Sequence, residues 1–161
     1  MDLYLLRHAI AEERANDGSD SARTLTPEGT EKMRVGARGL RRLGVQLDRL
    51  LTSPLTRARE TADIVGAALD IAPETVGALA PGCNAATLLD LLADMPRAKS
   101  VMIVGHEPDL SNIVAELTGG SRVVMKKGGL ALIDLVSLDP GAGSLLWVLP
   151  PRILRALGKG S

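Results

Sequence analysis

Two short, unbroken apolar runs constrain this chain most. Leu3-Tyr4-Leu5-Leu6 breaks into Arg7-His8, and Val101-Met102-Ile103-Val104 breaks into Gly105-His106. Neither run alternates apolar with polar, so neither suits a strand with one wet face; both suit strands buried on two faces, as in a parallel sheet. In open α/β sheets the chemistry collects at the carboxyl ends of such strands. His8 and His106 are the chain's two histidines, and neighbouring parallel strands would bring both to one edge of the sheet.

Between and after these runs, strand and helix signals alternate. A polar loop from Glu12 to Ser21 follows the first strand, expected over residues 2–6. Thr26-Pro27-Glu28 then reads as a helix start, with Thr26 as cap and Pro27 in the first turn. That helix is expected to reach about Leu43 and stop at Gly44, turning Met33, Ala37, Leu40 and Leu43 inward. Asp48 to Thr52 reads as a strand, and Ser53-Pro54 as the cap and first residue of a second helix with Ala58, Ala62, Val65 and Leu69 inside. A weak strand over 74–79 precedes a helix from Asn84 to about Asp94. A further helix is expected from Ser111 to Leu117, closed by Gly119-Gly120. Leu130–Val136 and Ser144–Leu149 read as strands joined by the turn residues Asp139-Pro140-Gly141, so the sheet ends in a hairpin. Residues Ile153 to Leu157 suggest a last helical turn. The alternation predicts a three-layer α/β/α sandwich with a mostly parallel central sheet ending in an antiparallel hairpin.

Composition excludes several classes of function. The 161 residues suit one buried core, so a single domain over 1–161 is expected. Nineteen Lys and Arg balance nineteen Asp and Glu, which gives no bulk attraction to nucleic acid or to an anionic membrane; any anion recognition is expected to be local. Tyr4 and Trp147 are the aromatic residues and there is no Phe, so no stripe exists on which bases could stack. Cys83 stands alone, and the amino terminus offers neither a signal peptide nor a membrane span, so a cytoplasmic, reducing setting is expected.

Arg7 beside His8, and Arg57 at the start of the second helix, add cations to the same end of the sheet. Guanidinium forks bind phosphate oxygens in pairs, and a helix start adds free N–H groups. Two arginines, two histidines and a helix start together describe a phosphate pocket. Within it an imidazole can attack phosphorus through its lone pair, forming a phosphohistidine that water later hydrolyses. The competing arrangement is a metal site of the two histidines with Glu12, Glu107 and Asp109. Arg7 and Arg57 would repel the ion, and no third ligand has a metal-like spacing.

These residues match a known pattern. Leu5-Leu6-Arg7-His8-Ala9 resembles the Arg-His-Gly signature of the histidine phosphatase superfamily, the phosphoglycerate mutase-like fold, with Ala9 adding a methyl group where Gly is usual. Ser53-Pro54-Leu55-Thr56-Arg57-Ala58-Arg59-Glu60-Thr61-Ala62 resembles its second motif and Val104-Gly105-His106-Glu107-Pro108 its third; Leu25-Thr26-Pro27-Glu28-Gly29 is similar to its Leu-Thr-x-x-Gly helix start. The resemblance implies that His8 is the phosphorylated nucleophile, that Arg7, Arg57 and His106 bind the phosphoryl group, and that neither metal nor cofactor is needed. The short length most resembles the small bacterial phosphohistidine phosphatases of the SixA type, a bare domain without a cap insertion, and a monomer is the default.

One departure bears on the substrate. Many superfamily ester phosphatases carry a Glu proton donor in the loop after the third strand, whereas Gly77-Ala78-Leu79-Ala80-Pro81-Gly82-Cys83 contains no acid. An alkoxide leaving group needs a proton, while an imidazole can carry its own, which favours P–N over P–O bonds. Glu107 is the alternative general acid, or simply an exposed loop carboxylate. Arg23, Ser53, Lys126 and Lys127 are weaker substrate-binding candidates. The expected partner is a phosphorylated protein carrying phosphohistidine; the alternatives are a small phosphate monoester such as a sugar phosphate, or a non-catalytic phosphate-binding module.

Overall fold

A computed structural model describes residues 1–120 and 122–160. Six strands form one sheet in the order β3-β2-β4-β1-β5-β6. They are β1 (Asp2–Arg7), β2 (Arg49–Thr52), β3 (Pro73–Thr75), β4 (Ser100–Gly105), β5 (Leu130–Leu135) and β6 (Gly143–Leu149). β1 to β4 pair in parallel, and β5 runs antiparallel to both β1 and β6. The two apolar runs are therefore the central neighbours β4 and β1, and the pairs Leu6↔Val104 and Arg7↔Gly105 bring His8 and His106 out together.

Helices cover both faces. α1 (Pro27–Arg42), α2 (Thr56–Leu69) and α5 (Pro151–Lys159) lie on one side, α3 (Ala85–Ala93) and α4 (Asp109–Leu117) on the other. The pleat divides the core between them. Leu3, Leu5, Val101 and Ile103 pack with Leu88, Leu92 and Ile113; Tyr4, Leu6, Met102 and Val104 pack with Leu40, Ala62 and Leu154. β1 leaves through α1 toward β2 and β4 leaves through α4 toward β5, in opposite directions across the sheet. That topological switch lies at the carboxyl ends of both strands, the place where open α/β sheets bind ligands.

Several boundaries differ from those the sequence predicts. α1 begins as expected, with the Thr26 hydroxyl accepting from Gly29 N, but Leu43 falls after its last turn and is exposed rather than inward. α2 begins at Thr56, not Pro54, because Ser53 caps no helix. The weak strand over 74–79 is a three-residue edge strand followed by a 3₁₀ turn, Gly77–Leu79. α4 starts two residues early, and the expected single last turn is the nine-residue α5.

α5 was hard to anticipate because Pro151 and Gly158 look like breakers. Pro151 sits in the first turn, where its missing N–H costs nothing, and Gly158 lets two backbones touch. A methyl group built on Gly158 would lie 1.8 Å from the Val35 carbonyl oxygen, and one on Gly39 would lie 2.0 Å from that of Leu154. β6, an edge strand without charged residues, carries a bulge where Leu132 faces Trp147 and Ile133 faces Leu145, leaving Leu146 unpaired and exposed.

The glycine contact gives a direct expectation. Gly39→Ala and Gly158→Ala should each lower unfolding free energy by about 2–3 kcal/mol through overpacking. Gly77→Ala, which meets only open space, should stay within about 0.5 kcal/mol. Urea denaturation of the three variants measures both.

Candidate active site

His8 is held from both sides. Its N–H donates to Gly105 O at 3.1 Å, while its own carbonyl and that of Arg7 accept from Gly128 N at 3.1 and 3.0 Å. The ring is 5 % exposed. Its Nδ1 lies 2.7 Å from the Ala9 carbonyl, which can only accept, so Nδ1 carries the proton. Nε2 therefore keeps a lone pair, and Arg57 Nε donates to it at 3.3 Å. Burial is the main cause pushing the imidazole down to about 3, and the charges of His106, Arg57 and Arg7 act in the same direction. The ring is neutral at physiological pH, with its nucleophilic nitrogen toward a guanidinium.

The support behind His8 reaches into α2. Thr61, fully buried, accepts from Ala9 N at 3.0 Å and donates to Arg57 O at 2.7 Å. One hydroxyl thus ties the end of β1 to the backbone of Arg57. Ala9 packs into the core beneath α1 and α2, so its methyl group fills apolar space rather than crowding a phosphate.

His106 lies against His8 with ring centroids 5.2 Å apart. Its Nε2 is 2.7 Å from Ser53 Oγ, and Ser53 Oγ also accepts from Leu55 N at 3.3 Å. A hydroxyl that already accepts one N–H is set to donate its own proton, which places the His106 proton on Nδ1. That Nδ1 is buried without a partner, and so is Arg7 Nε. A buried donor without an acceptor costs about 1–3 kcal/mol, and an oxyanion between these groups would relieve both. Burial, followed by the charge of Arg57, pushes His106 down to about 4, so it donates as a neutral ring.

The arginines are anchored differently. Arg7 Nη1 donates to Met125 O at 2.8 Å, and burial lowers the guanidinium's pKa. Arg57, 6 % exposed, donates through Nη1 to Asp20 O at 2.8 Å and through Nη2 to Asp20 Oδ2 at 3.0 Å. Asp20 also accepts from Arg23 Nη1 at 2.7 Å, and the Arg23 and Arg57 bonds hold its carboxyl below the usual range.

The structure thus gathers Arg7, His8, Arg57 and His106 at one edge of the sheet and distributes the weaker candidates around it. Ser53 is fully buried, with its hydroxyl against His106 Nε2. Arg23 is engaged by Asp20 and by Glu12 O. Lys126 and Lys127 are exposed, and Lys127 lines a crevice with Lys32 and Arg155 on the α1/α5 side. Glu107 accepts from Ser111 N at 3.1 Å and from Ser111 Oγ at 2.7 Å, steadying the first turn of α4. The start of α2 contributes less than expected, since Leu55 N and Thr56 N are taken by Ser53 Oγ and Ser21 O. Among the described residues no group of three or more His, Cys, Asp or Glu is placed to hold a metal ion.

Asp20 and Thr61 escape sequence reasoning. Nothing distinguishes Asp20 from Asp17 in a polar loop, whereas Thr61, inside the second motif, could have been found there.

A neutral imidazole with an unprotonated Nε2, two guanidiniums and an unpartnered imidazole donor at the carboxyl edge of a doubly wound sheet define a phosphate-handling α/β protein. The profile of the histidine phosphatase superfamily (branch 1) matches residues 3–80. Phosphohistidine phosphatase SixA of Escherichia coli is 31% identical over 160 residues, covering 96% of this chain and 97% of that protein. An uncharacterized protein of Picosynechococcus is 39% identical over 137 residues, covering 81% and 82%. The structure of the protein histidine phosphatase SixA complexed with tungstate superposes with a TM-score of 0.85 at 29% identity, covering 96% of this chain and 99% of that one. The chain belongs to the histidine phosphatase superfamily and is a SixA-like, histidine phosphatase-type enzyme.

Three outcomes follow from the ring environments. In ¹H–¹⁵N spectra neither imidazole should titrate between pH 8 and about 5, and His106 should carry its proton on Nδ1. The unfolded chain, with histidines near 6.5, binds protons before the folded one, so stability is full above about pH 6.5 and falls as pH drops toward the folded values of about 4 and about 3. The urea midpoint should decline over that window. Ser53→Ala should lower kcat by roughly 10²-fold, the scale of losing one oriented donor, and move the His106 proton toward Nε2 in the same spectra.

Proposed function

We propose that this enzyme removes the phosphoryl group from phosphohistidine on a protein, through a covalent phosphohistidine at His8 and without a metal. The observation that carries the reading is the His8 ring itself, with Nδ1 fixed on the Ala9 carbonyl and a lone pair on Nε2 among Arg57, Arg7 and His106. Tungstate, held in the SixA structure, is a tetrahedral oxyanion of the kind such donors fit.

In the first step the Nε2 lone pair forms a bond to phosphorus while the P–N bond to the substrate imidazole breaks. That imidazole, protonated on its far nitrogen, leaves as a neutral ring and needs no acid. Because one imidazole–phosphorus bond replaces another, little energy separates the two sides. Arg7, Arg57 and His106 Nδ1–H meet the phosphoryl oxygens, whose charge draws the Arg57 Nε–H away from the lone pair it occupies at rest. In the second step water attacks phosphorus, its proton passes to a phosphoryl oxygen, and the N–P bond returns its electrons to Nε2.

P–N over P–O chemistry is supported by the 77–83 loop, which has no acid, and by Glu107, which accepts hydrogen bonds from Ser111 on both oxygens. This reading includes a single capless domain acting in the cytoplasm.

His8→Ala should abolish both turnover and labelling by a phosphoryl donor, and burst labelling that survived in this variant would overturn the mechanism. Glu107→Gln should leave the rate on a phosphohistidine domain within about threefold, whereas an acid role would cost about 10²-fold or more.

A further inference from the structure

The chain's zero net charge conceals a segregation. α1, α5 and the Lys126-Lys127 turn hold ten of the nineteen Lys and Arg but only two of the nineteen Asp and Glu. Solvated helices ordinarily interleave the signs, and here the pairing stops at Lys32 with Glu28 and Arg34 with Glu31. Among the described residues no carboxylate lies within ion-pair distance of Arg38, Arg41, Arg152, Lys126 or Lys127, and all five are exposed.

Geometry joins these charges into one face. α1 and α5 lie side by side, with Gly158 against Val35 O and Arg42 donating to Leu157 O at 2.8 Å. Their first turns sit at the catalytic edge: Gly29 abuts Ile10, and Pro151 abuts Gly128, whose N–H holds the carbonyls of Arg7 and His8. The face extends away from the pocket for about 24 Å, the length of a 16-residue helix. Arg152 stands in the first turn of α5, where a cation opposes the helix dipole, so its place is not explained by helix stability. Ile153 and Leu157, one turn apart on α5, are each 38 % exposed among the cations.

We infer that the α1/α5 face is a docking surface for an acidic protein, and that it seats the protein carrying the phosphohistidine; this rests on the function proposed above. Arginine ringing small apolar patches is the composition of protein interfaces. A lipid surface is less well served, since α5 offers no aromatic anchor. Nucleic acid is less well served too, because Tyr4 and Trp147 pair with each other in the core beneath α1. Exposed charges of this kind act on association rate and its salt dependence, leaving the chemical step alone.

The test compares the full chain with an Arg38→Glu/Arg41→Glu/Arg152→Glu variant on three probes. They are a histidine-phosphorylated domain with carboxylates around its phosphohistidine, the same domain with those carboxylates replaced by Asn and Gln, and free phosphoramidate. The variant should lose at least tenfold in kcat/KM on the acidic domain and less than twofold on the other two. Activity of the native enzyme should fall with salt on the acidic domain alone. Equal rates of variant and native enzyme on the acidic domain would overturn the docking face while leaving the proposed function standing. Failure of the native enzyme on both domains, with phosphoramidate still hydrolysed, would overturn the function and the docking face together. Charge-dependent binding to phosphatidylglycerol vesicles, with the acidic domain unaffected, would assign the face to a membrane instead and overturn the proposal.

Discussion

The pairing of β1 with β4 is the constraint on which the rest of this structure depends. Register in a parallel pair is set by the burial of both faces, because a slip of one residue would turn Leu3 and Leu5 into the space that Tyr4 and Leu6 fill. Once Leu6 faces Val104, the following residues have no freedom about where they emerge. His8 bonds to Gly105 O, and two rings far apart in sequence come to rest in contact. Both rings are therefore placed by the core strands beneath them.

Burial then decides the chemistry. An imidazole taken out of water beside two guanidiniums cannot also be a cation, so both rings give up their charge and the arginines keep theirs. The result is a pocket that sets guanidinium groups beside a neutral imidazole whose unprotonated Nε2 faces one of them. His8 and His106 have the same side chain and nearly the same burial, yet each is given its own task by what touches its far nitrogen: a carbonyl that can only accept for His8, and a hydroxyl already engaged with an amide for His106.

What the sequence displayed and what it hid divide along the range of the interactions. The central strands were legible because unbroken apolar runs have few other uses, and α1 because Thr26-Pro27 is a local signal. Ser53 has the local signature of a helix cap, while its partner His106 comes from the end of another strand. Asp20 was invisible because its importance comes from reaching Arg57 across a loop with no regular structure. α5 was underestimated because Pro151 and Gly158 are breakers in isolation, and only the neighbouring α1 backbone explains the glycine. Charge segregation was hidden by a sum that came to zero.

Arg57 has a consequence beyond the pocket. A guanidinium carries five N–H bonds; one reaches His8 and two reach Asp20, and Asp20 in turn holds Arg23. Two N–H bonds remain, one on each terminal nitrogen, so the guanidinium holds the loop with only part of its donor capacity. The irregular stretch from Glu12 to Thr24 is thus pinned to one of the most buried cations in the protein, the same side chain that lies against His8, so the loop and the site share a single anchor.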